Sequence, residues 1–220
     1  MSFIVAIDGP AGSGKGTISK RIAKLKNFIS IDTGALYRCV TLYMIRNNIN
    51  LDEDDKIKKC LNDIDIEFKN ENRVLLDGED VTKQIREKAV NELVSQVSHL
   101  VVVRESITDL SRKIAEGKNV VMEGRDIGTN VFPNANVKIY LDATPEERAN
   151  RRLKQNKEKG IDISFEEILE NIKFRDHNDK TSNVAPLKQA DDAIYVDTTN
   201  LSIDQVVKNI SQIIDEKLSN

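Results

Sequence analysis

The chain is poor in the residues that build metal or disulfide frameworks: its 220 residues include two cysteines, Cys39 and Cys60, and two histidines, His99 and His177. Neither pair has metal-ligand spacing, which argues against a zinc-type site and predicts free thiols in a reducing compartment. A dominant sign of charge is also missing, since 33 Lys and Arg stand against 36 Asp and Glu for a formal net charge of -3. No global field then draws the chain to nucleic acid or anionic lipid, so basic residues must act locally. No apolar run reaches transmembrane length, and Phe3 enters a core strand without a signal-like segment before it. The expectation is a cytoplasmic protein with neither membrane nor nucleic acid as partner, and nothing in the chain demands more than a monomer. Repeats and low-complexity tracts are absent as well.

With hydrophobic residues at 39%, the length suffices for one main core plus a modest appendage. Short apolar runs recur at Ile4-Val5-Ala6-Ile7, Phe28-Ile29-Ser30-Ile31, Val120-Val121-Met122, Val137-Lys138-Ile139-Tyr140-Leu141 and Ile194-Tyr195-Val196. Helical stretches lie between them. This alternation predicts an α/β fold, a doubly wound parallel sheet with helices on both faces. Thr144-Pro145-Glu146-Glu147, Ser164-Phe165-Glu166-Glu167 and Ser202-Ile203-Asp204-Gln205 have the capping-box form of helix starts. In the last of these helices Ile203, Val206, Val207, Ile210, Ile213 and Ile214 predict an amphipathic element packed on the sheet. Asn156-Lys157-Glu158-Lys159-Gly160 reads as a solvated helix end.

Residues 51–96 break the rhythm and predict a small α+β insertion with a short antiparallel sheet. Its strands are Ile64-Asp65-Ile66-Glu67-Phe68 and Arg73-Val74-Leu75-Leu76, across the polar turn Lys69-Asn70-Glu71-Asn72, with Asp77-Gly78 as another turn. The expected division is a core of 1–50 and 97–220, including a lid at about 148–187, and an inserted subdomain of 51–96.

Gly9-Pro10-Ala11-Gly12-Ser13-Gly14-Lys15-Gly16-Thr17 follows the first apolar run and predicts strand, glycine-rich phosphate loop and helix start of the P-loop NTPase type. Its N–H groups and the helix dipole suit phosphate oxygens, and Lys15 brings a mobile charge to the outer phosphates of a nucleoside triphosphate. Gly16 stands where G-x-x-x-x-G-K-[ST] has a hydroxyl, and Thr17 comes one position late. That shift suggests a small-molecule kinase rather than a GTPase or motor.

Two more segments emerge where strands of such a sheet end, the rim on which ligands bind. Asp32-Thr33-Gly34-Ala35-Leu36-Tyr37-Arg38 places Thr33 as a ligand contact or helix N-cap, and Arg38 as a grip on a second phosphate or a surface ion pair. Glu123-Gly124-Arg125-Asp126-Ile127-Gly128-Thr129 offers the planar fork of Arg125 to two phosphate oxygens and Asp126 to an exocyclic amine; the alternative is an Arg–Asp pair closing the loop. Glu123 is a candidate to hold magnesium through water. Phe174 to Leu187 reads as a helix end passing into a polar loop, the form of a movable lid over phosphates, with His177 a polar loop residue rather than a catalyst. Arg148, Arg151 and Arg152 follow Thr144 and face either a donor nucleotide or solvent.

Together these segments resemble bacterial cytidylate kinases, with Ser95-Gln96-Val97, Gly124 to Pro133 and Val184-Ala185-Pro186-Leu187 also in order along nearly the whole chain. The resemblance implies that ATP, with Mg2+, reversibly phosphorylates CMP or dCMP. It puts ATP on residues 9–17 and Arg151, with Thr17 a water-mediated magnesium contact and Lys15 bridging donor and acceptor phosphates. It puts CMP on Thr33, Arg38, Ser95, Arg104, Arg125 and Asp126, with Ser95, Arg104 and Asp126 nearest the cytosine. Arg175 and Asp179 match lid residues closing over ribose and phosphates, and 51–96 matches that family's enlarged monophosphate-binding subdomain. One departure stands out: the family pattern has an arginine where this chain has Ser182, with Lys180 as a partial substitute. Other readings stay open, namely a small kinase for dTMP, AMP, a sugar or a shikimate-like acid, or a nucleotide switch. Against the switch, the chain lacks an Asn-Lys-x-Asp guanine-reading signature.

Overall fold

A computed structural model of the chain describes residues 2–69, 73–158 and 160–219. In chain order its elements are β1 (Ile4–Asp8), α1 (Lys15–Lys26), β2 (Ile29–Asp32), α2 (Thr33–Arg46), α3 (Asp54–Asp63), β3 (Ile66–Lys69), β4 (Arg73–Leu76), β5 (Glu79–Asp80), α4 (Lys88–Val97), α5 (Val101–Ala115), β6 (Val120–Gly124), β7 (Val137–Asp142), α6 (Pro145–Glu158), α7 (Phe165–Thr181), β8 (Ile194–Asp197) and α8 (Ile203–Leu218). They divide into two compact units, one from residues 1–31 and 115–220, the other from 32–114. The 51–96 segment lies within the second.

The first unit is built on a five-stranded sheet in the order β2-β6-β1-β7-β8. β1 pairs parallel with both β6 and β7, and β7 pairs parallel with β8. β1 and β6 are buried along their whole length, as strands covered on both faces must be. Val5, Ile7, Val121, Ile139 and Leu141 pack with Ile18 and Ile22 of α1 and with Val206, Val207, Ile210 and Ile214 of α8. The helix starts behave as their sequences predict, with one refinement. Ser164 and Thr144 accept from the N–H groups of Glu167 and Glu147, but the reciprocal box forms at Ser202 with Gln205, while Glu147 turns instead to Arg151.

Three local expectations need correction. α7 runs unbroken to Thr181, so His177 is helical rather than in a loop. No Gly or Pro interrupts that polar stretch, and Ile168 and Ile172 bury one face against Ala149. Asn156 is buried rather than part of a solvated end, and its carbonyl accepts from Ile161 N–H at 2.9 Å; Lys159 of that stretch lies outside the described residues. Asp32, not Thr33, caps α2 by accepting from Ala35 N–H at 3.2 Å.

In the second unit β3, β4 and β5 form an antiparallel sheet, with Asp77 and Gly78 both at positive φ in the turn between β4 and β5. Asn70, Glu71 and Asn72 of the predicted polar turn lie outside the described residues. Its strands alternate in burial, as one-sided sheets do: Ile66, Val74 and Leu76 point into a core shared with Leu36, Val40 and Met44 of α2, Val90 of α4 and Ile107 of α5. Cys39 and Cys60 are free and buried in this core, which pushes their thiols up to about 12 and about 11.

Candidate functional site

At the C-terminal end of β1 the chain turns through residues 9–17 into α1. Gly9, Gly12 and Gly14 have φ of 148°, 81° and 97°, conformations that side chains rarely tolerate, and a Cβ on Gly9 would come within 2.0 Å of the Leu141 carbonyl oxygen. α1 starts at Lys15 with Gly14 as its N-cap and no side-chain cap, which leaves its first N–H groups facing the loop. Lys15 is buried, and its ammonium donates to the carbonyls of Gly9 at 2.7 Å and Pro10 at 2.8 Å.

Burial, reinforced by the Arg125 charge, pulls the Lys15 pKa down to about 7, against the opposing pull of Glu123, Asp8 and Asp179. Asp8, at the end of β1, shows the opposite shift. Burial pushes it up to about 6 even though its carboxylate accepts from the N–H groups of Gly128 at 2.7 Å and Ile127 at 2.8 Å. Those two bonds tie the strand that launches the phosphate loop to the turn that carries Arg125 and Asp126.

Arg125 leaves the end of β6 and donates to Asp179 of α7 at 2.7 Å, both side chains being part-buried. Asp126 is buried and accepts from the Asn130 amide at 3.1 Å. The Arg175 side chain makes no hydrogen bond or ion pair with the described residues. Although the residue as a whole is exposed, crowding of its guanidinium and the Arg125 charge pull its pKa down, with Asp179 opposing. Lys15, Arg125 and Arg175 thus form a cation-rich group in which positive charge destabilises positive charge, an arrangement suited to polyanionic phosphates. Glu123 is buried, and a Cβ on Gly16 would come 3.0 Å from its carboxylate; the position that usually carries the loop hydroxyl is crowded by an acid.

Arg148 and Arg151, on α6, both touch the loop, the first buried and the second part-buried. Arg148 is buried and forks onto Asp176 of α7 at 2.9 and 2.5 Å, while donating to the carbonyls of Ala143 at 2.9 Å and Ala11 at 3.1 Å. Arg151 donates to Glu147 at 2.9 Å, to the Ser13 carbonyl at 3.3 Å and to the Thr198 carbonyl at 2.6 Å. Sequence reasoning left these arginines facing either a donor nucleotide or solvent and missed Asp176, which has no signal of its own beyond lying next to Arg175.

Thr33, Arg38, Ser95 and Arg104 belong to the second unit. Thr33 is buried in the first turn of α2. One turn on, Arg38 donates to the Asn91 amide oxygen at 2.6 Å and to the Ile85 carbonyl at 3.2 Å. The Arg104 guanidinium lies 5.6 Å from the centre of the Tyr37 ring and donates to the Ser98 carbonyl at 3.0 Å. Ser95 is exposed on α4, and its carbonyl accepts from the Ser98 hydroxyl at 2.8 Å. Asn91 and Tyr37, which hold the two arginines, carried no sequence signal apart from Tyr37 adjoining Arg38.

A parallel sheet whose first strand feeds a glycine-rich loop around a buried lysine defines a P-loop kinase fold. Shikimate kinase from Bacteroides thetaiotaomicron shares it, with a TM-score of 0.51 over 97% of this chain and 98% of its own at 15% identity. Within that class the chain belongs to the cytidylate kinase family, whose sequence model matches residues 5–216. It is 51% identical to cytidylate kinase from Fusobacterium nucleatum subsp. nucleatum over 98% of both chains. It is 48% identical to that of Caldicellulosiruptor bescii over 95% of this chain and 94% of the relative. Among the described residues no helix is long and apolar enough to cross a membrane.

Proposed function

We propose that the chain catalyses reversible phosphoryl transfer from ATP to CMP or dCMP, giving the diphosphates. Full-length membership of the cytidylate kinase family supports the pyrimidine acceptor. The transfer chemistry rests on one observation, the buried Lys15 in a loop of backbone donors with Arg125 close enough to depress its pKa. Phosphoryl transfer through a loose transition state needs positioning and positive charge more than a strong base, and this is what these residues supply.

In this reading residues 9–17 hold the ATP phosphates and Lys15 bridges donor and acceptor. Arg125 and Arg175 neutralise charge on the transferred group. Thr33 and Arg38 hold the acceptor phosphate, Ser95, Arg104 and Asp126 read the cytosine, and Asp179 aims Arg125 and meets the ribose. Closure of the α7 segment excludes the water that would otherwise hydrolyse ATP. Among the described residues no group of three or more His, Cys, Asp or Glu side chains could cage a metal. The buried Glu123 carboxylate beside Gly16, with Thr17 next in the chain, nevertheless fits an ion that arrives on phosphate oxygens. Mg2+ held there through water would neutralise charge on those oxygens.

A coupled assay with CMP, dCMP, UMP and AMP side by side tests the reading. The expected result is ATP-dependent turnover with the two cytidylates well above the others. Preference for AMP, or slow hydrolysis that no acceptor accelerates, overturns it. Asp126→Ala is expected to erode discrimination between CMP and UMP more than ATP affinity.

A further inference from the structure

In a trans peptide the carbonyl and the following N–H point in opposite directions, so whatever grips a carbonyl also aims the next N–H. Two carbonyls of the 9–17 loop are gripped from α6, Ala11 by Arg148 at 3.1 Å and Ser13 by Arg151 at 3.3 Å. The two arginines are three residues apart, hence on one face of the helix. The N–H groups aimed by these contacts belong to Gly12 and Gly14, both at positive φ and so without a side chain to hold them. Arg148 also packs its stem on the loop, since a Cβ on Gly12 would meet Arg148 Cβ at 3.3 Å.

Each guanidinium is braced from behind. Arg148 takes the bidentate carboxylate of Asp176 and the Ala143 carbonyl; Arg151 takes Glu147 and Thr198. All three nitrogens of both groups are engaged by the protein, which leaves them poorly placed to bind a ligand and well placed to hold backbone.

We propose that Arg148 and Arg151 are positioning residues that pre-set the Gly12 and Gly14 N–H groups toward phosphate, and that Asp176 acts through Arg148 and Glu147 through Arg151. The proposal rests on the reading of residues 9–17 as the ATP polyphosphate site. It also makes α7 a participant in ATP binding through a side chain that touches no nucleotide.

Calorimetric titration of the full chain with ATP and with inorganic tripolyphosphate, beside steady-state kinetics, tests it. Asp176→Asn keeps the shape but removes the charge, and is expected to weaken both ligands about three- to tenfold while the KM for CMP moves less than about twofold. Arg148→Ala is expected to cost about tenfold or more, and the double variant no more than Arg148→Ala alone, because Asp176 acts through that arginine. If Arg148 instead touched phosphate directly, Asp176→Asn would free it and leave binding unchanged or tighter. That result, or an equal rise in KM for CMP, overturns the proposal. Arg148→Lys keeps the charge but cannot span carbonyl and carboxylate together, so it serves if the alanine variant fails to fold, with the same loss expected. Lys15→Ala in the same titration separates the two levels: tripolyphosphate bound as tightly as by the unaltered chain would sink the phosphate-loop reading itself.

Discussion

Each unit fixes its arginines by more than one means. In the first, Arg148 is forked onto the Asp176 carboxylate and Arg125 is paired with Asp179. In the second, Arg46 forks onto the Glu79 carboxylate, whereas Arg38 donates to the Asn91 amide oxygen and the Ile85 carbonyl, and Arg104 donates to the Ser98 carbonyl beside the Tyr37 ring. A carboxylate fixes a guanidinium firmly but opposes its charge, whereas an amide, a carbonyl or a ring face aims it and adds no negative charge of its own. The Asp176 fork suits an arginine that shapes a loop around a separate lysine.

That comparison would break first at Lys15. Lys15→Ala is expected to lower kcat about a hundredfold or more, the scale of losing one positioned electrostatic group, while CMP binding by the second unit persists; the coupled assay and CMP titration read the two separately. Next comes Asn91→Asp, which would set a carboxylate where Arg38 now meets an amide oxygen. The expected outcome is an increase of about tenfold in KM for CMP at unchanged KM for ATP. An unchanged KM for CMP would mean that the amide at position 91 is incidental.

A third test uses pH. With Lys15 at about 7 in the free protein, bound phosphates stabilise its charged form, so ATP affinity should be level below that pH and fall above it, by at most about tenfold per unit. At pH 8 ATP binding should take up protons, measurable in buffers of different ionisation enthalpy. The same depressed value predicts a stability effect. Between about 7 and the ordinary 10.5 the unfolded chain binds more protons at this lysine, so its contribution to stability rises with pH across that window. Lys15→Met should flatten the rise in denaturant titrations. The smallest effect is expected of Ser182→Arg beside the α7 end, a gain of about two- to threefold in kcat/KM for CMP from one more exposed cation; no gain would show that the existing cations suffice.

Much of this architecture was legible in the chain because its signals are local. The buried parallel strands announce themselves as continuous apolar runs, the helix starts as Ser or Thr caps, and the phosphate loop as glycines whose positive φ almost no other residue adopts. The limits fall where a residue's partner lies far along the chain. Thr33 and Asp32 are both good caps by type, and hydrogen-bond geometry alone assigns the role to Asp32. Residues 174–181 are polar enough for a loop, yet continue a helix whose buried face is anchored earlier, at Ile168 and Ile172.

By itself the sequence determined the fold class, the loop and its lysine, and the family, since each is written in short local segments and in their order along the chain. Only the tertiary structure decided what each charged group does. Arg148 and Arg151 read as two cations on a helix until folding set Asp176 beside one and the loop carbonyls against both, partners up to 138 residues away. Arg38 likewise needed Asn91, and Asp8 needed the Gly128 and Ile127 amides. Propensity and patterning act over a turn or a strand, whereas the direction of a hydrogen bond and the pKa of a buried group depend on whatever the completed fold packs around them.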